Sequence, residues 1–474
     1  MGSGCPARLR LRDSPGGGEL DLVVIAPDAH ETRNAGWLDN TVSGTAARLA
    51  RDGLLCALAA PGHRSRLVRL LRACGLDPTC AFLYHGTATG EDDLLPLQRG
   101  AIQHVASTWP AAHTRVGRLK ARLLSGPGSS AMLRRWHRGT MIVARHPGAR
   151  HLFEWLLQST SDNGSASTAV IHAKWRRNRA SVVLRALSPG GQLAAVAKLT
   201  LGESQAGCRI SQEADFLEYA GENLRHVDIS VPKGRVLTRE AAVPVLLENV
   251  VPGDSAASLL LAGRISSSKT LATLGEKLLA WGRKTCVTRT IDSAWIEREI
   301  LRPAAEIIPL LPGAGEYLAW LQARCHALTG ARVPLTTTHG DLTMWNVLVT
   351  PSGSWGFVDW EGGKAEGLPL GDLCYGALDI AAAAHQYKNR VGAFIECFEG
   401  GGPTAHQVAR LRTELGQALG LSRGAALLCF HACWLQHAAE ESSKRSEMEQ
   451  HPFRGIVGRL ASQPTSYETV GLTE

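Results

Sequence analysis

The sequence has no Cys-x-x-Cys pair and no apolar stretch long enough to cross a membrane. Its eleven cysteines are an odd number, scattered along 474 residues, which argues against a disulfide framework and is typical of a reducing compartment. The nearest approach to a metal-binding cluster is Cys429, His431 and Cys433. They lie in an apolar helical stretch, so we expect a buried helix face there and not a metal site.

The first residues also lack a charged region followed by an apolar run, so no secretory leader is expected and the protein is predicted to be cytoplasmic. Charge is uneven: residues 1–150 hold 20 basic and 11 acidic side chains, whereas the remainder holds 31 and 32. This asymmetry indicates more than one domain. No nucleic-acid-binding motif accompanies the basic charge, so a solvated arginine-rich surface is favoured over a nucleic-acid partner.

One stretch, residues 338–371, carries an ordered set of polar residues. Asp341 is followed five residues later by Asn346, and Asp359 comes after two short apolar runs. Residues 351–354, between these runs, have the composition of a tight turn, which predicts a β-hairpin. The hairpin would bring Asn346 and Asp359 side by side, with Asp341 just upstream.

Phosphoryl transfer requires this combination of groups. One carboxylate must orient the attacking hydroxyl, and an amide oxygen and a second carboxylate must hold Mg²⁺ against the triphosphate. An Asp, an Asn five positions later and a second Asp after a hairpin follow the order of the catalytic loop and metal-binding Asp in protein kinases. The alternative is a chance combination in a β-hairpin domain.

His339-Gly340-Asp341 in place of His-Arg-Asp, Asp359-Trp360-Glu361 in place of Asp-Phe-Gly, and Leu-Pro-Leu-Gly-Asp-Leu at 368–373 resemble the aminoglycoside phosphotransferase and choline kinase-like family over about residues 165–440. These enzymes share the protein-kinase fold and transfer the ATP γ-phosphate to a small-molecule hydroxyl. The resemblance implies these roles: Asp341 as catalytic base, Asn346 and Asp359 as metal ligands, Asp372 as a buried carboxylate that braces the catalytic loop, and His339 as a structural residue.

Three candidate strands, 169–173, 181–186 and 193–199, precede a candidate helix, 210–224. Lys198 lies near the end of the third strand, and the resemblance implies that it grips the phosphates and pairs with Glu213. Glu218 projects from a different face of the helix and is the weaker candidate.

The strand that contains Glu248, together with Val250, resembles the hinge whose backbone binds the adenine edge. The turn at 174–180 has no glycine, although backbone usually approaches phosphate through glycine. Arg176 and Arg177 are candidates to supply charge instead, or they are solvated turn residues. ATP is the expected nucleotide, with GTP as the alternative.

Strands and helices alternate in residues 19–146, which predicts a small α/β, Rossmann-like domain. The order is loosely similar to the C-terminal half of a class I methyltransferase. The glycine-rich turn that would cradle adenosylmethionine is absent. We therefore expect a degenerate or docking domain without methyl transfer.

The residues after 258 read as helices, and the family builds its acceptor pocket there. Four acidic residues are candidates to hold a cationic acceptor, or are polar helix surface: Asp379, Glu396, Glu440 and Glu441. Trp345 and Trp360 either line the pocket or belong to the core, and the tail after Ser462 is expected to be disordered.

The predicted fold is therefore an α+β, protein-kinase-like, two-lobed phosphotransferase preceded by a small α/β domain. The predicted domains are 1–158, 159–255 (nucleotide-binding) and 256–474 (helical, catalytic). The predicted function is ATP- and Mg²⁺-dependent transfer of phosphate to a hydroxyl of a sugar, an aminoglycoside or another metabolite. Two alternatives are a kinase for Ser/Thr of a precursor peptide, bound by the basic front domain, and a catalytically silent scaffold that docks a partner enzyme.

Overall fold

The computed structural model divides the chain into two compact units. The first comprises Met1–Ala214 and Gly234–Val250, and the second comprises Asp215–Lys233 and Val251–Glu474. Within them, the residues that the structure describes are 10–11, 20–25, 35–59, 63–86, 91–96, 101, 139–148, 158–159, 168–176, 179–201, 206–237, 244–444, 452–469 and 472.

The strands of these residues are, in chain order, β1 (Arg10–Leu11), β2 (Leu20–Ile25), β3 (Leu49–Ala59), β4 (Asp77–Gly86), β5 (Glu91–Pro96), β6 (Gly139–Arg145), β7 (Thr168–Arg176), β8 (Arg179–Leu187), β9 (Leu193–Leu201), β10 (Ile229–Ser230), β11 (Gly234–Leu237), β12 (Val245–Asn249), β13 (Asp254–Ser255), β14 (Val287–Thr290), β15 (Arg332–Thr338), β16 (Val347–Val349), β17 (Trp355–Phe357) and β18 (Lys364–Gly367).

The α-helices are α1 (Ala35–Ala46), α2 (Arg64–Ala73), α3 (Ala206–Leu224), α4 (Ala256–Leu261), α5 (Ser267–Thr285), α6 (Ser293–Ile296), α7 (Arg302–Ile307), α8 (Gly315–Leu328), α9 (Gly371–Ala384), α10 (Arg390–Phe398), α11 (Pro403–Leu419), α12 (Arg423–Lys444) and α13 (Pro452–Ser462). A π-helix, Glu297–Leu301, joins α6 to α7.

The first unit contains one sheet of eleven described strands, in the order β1-β2-β3-β6-β4-β5-β7-β8-β9-β12-β11. Only β2 and β3 pair in parallel; the other neighbouring strands are antiparallel. The Rossmann-like front domain is therefore not confirmed, because that fold requires a mostly parallel sheet. Strand direction is not encoded in the apolar runs from which these strands were predicted.

The front strands and those predicted to bind nucleotide belong to this same sheet. They meet where β5 pairs with β7, with Glu91 opposite Lys174. β5 was not predicted, since Glu91-Asp92-Asp93 makes its first half acidic. The three-domain division at 158 and 255 stays a prediction.

Helix α2 packs against the front strands through Leu67 and Leu71, which are fully buried one turn apart. Burial of each leucine stabilises the unit by about 1.5–3 kcal/mol. The helix ends before Gly75, whose φ is +75°: Gly75 N–H donates to Arg72 O (3.0 Å) and Leu76 N–H to Leu71 O (3.0 Å). These two bonds form a Schellman motif.

In the second unit, α9 is buried on all sides over Asp372–Ala383. A helix of this kind belongs to the centre of a fold, and α4, α5, α10 and α12 contact it. Two small sheets accompany the helices: β10-β17-β16-β13 and β14-β15-β18.

The segment after Ser462, predicted to be disordered, forms a 3₁₀ turn at Pro464–Tyr467, so this prediction was wrong for the described part. Tyr467 and Thr469 are 3% exposed. Arg412 Nη2 donates to Tyr467 O (3.0 Å) and Thr469 Oγ1 (2.9 Å). A buried guanidinium on α11 thus holds this segment, and its partner groups lie more than fifty residues away in sequence.

His431 is fully buried on α12, as expected for a core helix face. Tyr317 OH lies 2.8 Å from Nδ1 and Pro464 O lies 3.0 Å from Nε2. Since a carbonyl only accepts, Nε2 carries a hydrogen, and burial lowers the pKa of His431 and so favours the neutral ring. Among the described residues, no group of three or more His, Cys, Asp and Glu is placed to hold a metal ion. No helix in the described part of the chain has the length and apolar character needed to span a bilayer.

Burial lowers the pKa of His431 to about 4, which generates a stability test. As pH falls from about 6.5 to about 4, the unfolded chain gains a proton that the folded chain excludes. The free energy of unfolding should therefore fall by about 3 kcal/mol over this range from His431 alone. Urea unfolding at half-unit pH steps measures this. His431→Gln should flatten that part of the profile and the exposed-site control His406→Gln should not; identical slopes in both variants would contradict the expectation.

Candidate active site

The residues 339–346 form a loop, called here the 339–346 loop, directly after β15. Asp341 O accepts from Thr343 N (2.8 Å), and Thr343 O accepts from Asn346 N (3.0 Å). These turns fold the loop back, so that Asn346 Nδ2 donates to Asp341 O (2.8 Å) and lies 3.5 Å from Asp341 Oδ2. The predicted base and the predicted amide ligand therefore lie side by side.

The predicted hairpin is present as β16 and β17, with Val347 opposite Phe357. Its turn closes through Thr350 N–H, which donates to Ser354 O (3.0 Å). The pairing extends one step beyond the strands, because Val358 N–H donates to Asn346 O (3.0 Å). Asp359 is the next residue, half-buried, so the hairpin places Asn346 and the residue before Asp359 in direct contact.

The donor set at this position fits a magnesium ion. Asn346 uses its amide nitrogen to bond Asp341, so the hydrogen bond itself orients the amide and directs its carbonyl oxygen elsewhere. Asp359, one residue beyond the end of the hairpin, is the residue that would supply a carboxylate. Amide and carboxylate oxygens are the hard ligands that Mg²⁺ prefers.

His339 ties the loop to the hairpin. Its ring Nε2 lies 2.9 Å from Val358 O, and Nδ1 accepts from Asp341 N–H at 3.3 Å. The ring is fully buried and packs 4.5 Å from Trp360. A neutral imidazole with hydrogen on Nε2 satisfies both contacts.

Two carboxylates on helix α9 accept hydrogen bonds from backbone N–H groups of the 339–346 loop. Asp372 Oδ2 accepts from His339 N–H (2.7 Å) and Oδ1 from Gly340 N–H (3.0 Å). Asp379 Oδ2 accepts from Met344 N–H (2.7 Å). The two residues are seven apart, or two helical turns, and so lie on one face of α9. The 339–346 loop is thus held on both sides of Asp341.

Burial raises the pKa of Asp372 and of Asp379, while the N–H bonds at each act in the opposite direction. Asp379, fully buried, also has a cationic neighbour: Arg390 Nη2 lies 3.2 Å from Oδ1. Tyr387 OH donates to Asp379 Oδ2 (2.9 Å), and its ring stacks on Trp345 at 6.1 Å. Asp379 is therefore neither helix surface nor free to bind an acceptor, contrary to both readings of the sequence.

The remaining candidates after residue 258 differ in how far their side chains are buried. Trp360 is 1% exposed and belongs to the core, whereas Trp345 is half-buried.

Glu396 lies 2.8 Å from His385 Nε2 and accepts from Thr404 Oγ1 (2.9 Å). Glu441 accepts from Phe453 N–H (3.2 Å). Glu440 is exposed.

In the first unit, Lys198 lies on β9 between β8 and β12. Its Nζ is 2.6 Å from Glu213 Oε1 on α3, the predicted partner, whereas Glu218 is exposed. Glu248 Oε1 also approaches Nζ, at 3.0 Å. The sequence predicted a role for the backbone of Glu248 only, and this side-chain contact was missed because the sequence does not show that β12 pairs with β9.

Val250 follows β12 directly and is half-buried. Arg176 is the last residue of β7, where its backbone pairs with Arg179; its side chain and the whole of Arg177 lie outside the described residues.

No protein-family model and no curated protein sequence matches the chain. Solved structures that are similar to it include macrolide 2′-phosphotransferase MphH from Brachybacterium faecium (18% identity, 63% of this chain and 100% of that chain covered, TM-score 0.34). Choline kinase LicA from Streptococcus pneumoniae is similar at 14% identity, 62% and 88% coverage and TM-score 0.32. ADP-bound aminoglycoside phosphotransferase APH(2″)-Ib is similar at 12% identity, 60% and 90% coverage and TM-score 0.30.

These three proteins are small-molecule phosphotransferases by name, the kind of enzyme that residues 338–371 resemble.

Position 340 requires a glycine because the 339–346 loop passes close to the segment that follows Asp359. Its φ is +80°, and a Cβ atom there would lie 2.4 Å from Gly362 O. We expect Gly340→Ala to disturb the loop and lower the free energy of unfolding by about 2–4 kcal/mol. Gly353→Ala is the matched control, because φ is +89° there but nothing lies within 4 Å. Thermal and urea unfolding of both variants measure the difference; equal losses would show that the close approach is unimportant.

The Asp379–Arg390 pair generates a second test. Removal of Arg390 leaves the fully buried Asp379 carboxylate without its cationic partner, and removal of Asp379 leaves a half-buried guanidinium and two lost hydrogen bonds. Asp379→Ala and Arg390→Ala should therefore each destabilise the protein by about 3–5 kcal/mol. The double variant should lose clearly less than the two singles together. A double-mutant cycle in urea measures this coupling. The exposed pair Arg410–Glu414, 3.1 Å apart, is the control and should show almost none; comparable coupling in both pairs would show that burial does not strengthen the Asp379–Arg390 interaction.

Proposed function

We propose that this protein is an ATP-dependent phosphotransferase that moves the γ-phosphate to a hydroxyl group of a small molecule. One observation carries the proposal. Asp341 and Asn346 lie side by side, and Asn346 is hydrogen-bonded to the residue before Asp359. These contacts support a site in which Asp341 is the base and Asn346 and Asp359 are oxygen ligands of a divalent cation. The side-chain carboxylates of Asp372 and Asp379 on α9 hold the 339–346 loop in place.

Asp341 accepts or orients the hydroxyl proton of the acceptor. Asn346 and Asp359 hold Mg²⁺, which when bound neutralises charge on the phosphates. Lys198, positioned by Glu213, binds phosphate oxygens. The backbone of the strand with Glu248, and of Val250, binds the base of ATP, or of GTP. Catalysis then comes from positioning and charge neutralisation, because the protein forms no covalent intermediate in this scheme.

The acceptor class follows from the motif resemblance and is a small-molecule alcohol. A silent scaffold is disfavoured, because all the polar positions that the chemistry requires are filled: Asp341, Asn346, Asp359 and Lys198. We further propose that residues 159–255 form the nucleotide lobe and residues 256–474 the catalytic lobe.

The test is nucleotide turnover with a panel of acceptors: macrolides, aminoglycosides, choline and simple sugars. Asp341→Asn should lower kcat by about 10²–10⁴-fold and leave nucleotide binding intact, because its role is in proton transfer. Asp359→Ala should instead weaken Mg²⁺-dependent nucleotide binding, measured by calorimetry with and without Mg²⁺. Asp215→Asn, at an exposed position of α3, is the control. Full turnover in Asp341→Asn would refute the assignment.

A further inference from the structure

Lys198 lies between two carboxylates. Its Nζ is 2.6 Å from Glu213 Oε1 and 3.0 Å from Glu248 Oε1. The side chains are nearly closed to solvent, at 12% exposure for Lys198, 7% for Glu213 and 4% for Glu248. A lysine that binds phosphate needs one carboxylate to hold it, so the second requires an explanation.

The strand register shows why Glu248 reaches the lysine. Leu246 is opposite Lys198 and Glu248 is opposite Val196 in the antiparallel pair of β12 and β9. Since residues two apart on a strand share a face, Glu248 and Lys198 lie on the same face of the sheet. Glu213 approaches from α3. The lysine is therefore held from two different elements.

The charge of this group opposes phosphate binding. One ammonium and two carboxylates carry a formal charge of −1, and one oxygen of each carboxylate lies within 3.0 Å of Lys198 Nζ. A phosphate that binds Lys198 meets an additional negative charge at close range, in a region where burial limits screening. The contact at 3.0 Å is the longer of the two, so Glu248 is the partner that a phosphate oxygen displaces more readily.

We propose that Glu248 sets the affinity of the site for the phosphates of the nucleotide. The Glu248 carboxylate contacts Lys198 when no phosphate is bound, and a phosphate oxygen replaces this contact when phosphate binds. This inference rests on the proposed function, and it differs from base recognition, the role that the hinge position assigns to the backbone of this strand. Glu213 keeps the lysine in place in both states.

The experiment measures dissociation constants by calorimetry for three probes: a non-hydrolysable ATP analogue with Mg²⁺, tripolyphosphate with Mg²⁺, and adenosine. Glu248→Gln removes the charge and keeps the shape, and Glu248→Met provides a second variant without a buried polar group. Glu218→Gln, on an exposed position of α3, is the control, and circular dichroism verifies folding.

Both Glu248 variants should bind the analogue and tripolyphosphate about tenfold more tightly than wild type, and adenosine with unchanged affinity. A purely structural role would not produce this difference between probes. Unchanged or weaker binding of the phosphate probes, or an equal gain for adenosine, overturns the inference while wild-type nucleotide binding stands. No binding of the analogue by any of the proteins overturns the proposed function itself.

Discussion

The candidate site depends on the hydrogen bonds that two buried carboxylates of α9 accept from the backbone of the 339–346 loop. This loop has no regular secondary structure, and its internal hydrogen bonds fix its shape but not its position on the helices. Asp372 binds the N–H groups of His339 and Gly340, and Asp379 binds that of Met344. Burial of two carboxylates is costly, and charge-assisted bonds to backbone N–H, with Arg390 beside Asp379, offset that cost. One rigid helix thereby determines where Asp341 lies.

The backbone around the site is unusual in the same region. Asp359 and Leu370 have φ values of +68° and +70°, in addition to Gly340 at +80°. Non-glycine residues adopt this conformation at a cost of about 1–2 kcal/mol each, and such residues persist where the surrounding structure requires them. Leu370 directly precedes α9, so its conformation brings the chain into the helix that carries Asp372. Asp359 follows the hairpin, and its conformation directs the chain away from β17.

Much of the site was predictable because it is local. The spacing of Asp341, Asn346 and Asp359 around a turn predicted the β16–β17 hairpin, whereas the contact of Lys198 with Glu213 was predicted from the resemblance to the phosphotransferase family. Other features depend on distant residues. Arg390 beside Asp379 and Glu248 beside Lys198 need a tertiary neighbour that no local pattern indicates. The Rossmann-like prediction was not confirmed because apolar runs report burial and not strand direction.

The sequence by itself determined the chemical inventory, the hairpin, the strands β7–β9 and most helices of the second unit, since turn composition and apolar periodicity act over a few residues. The tertiary structure decided which polar groups are buried and which face one another. It placed the front strands in the sheet that contains Lys198. It also buried Asp379, which accepts a hydrogen bond from the 339–346 loop, and brought Arg412 into contact with Tyr467 O. These outcomes require long-range packing, because the energy of a buried charge depends on the partners that the fold brings to it.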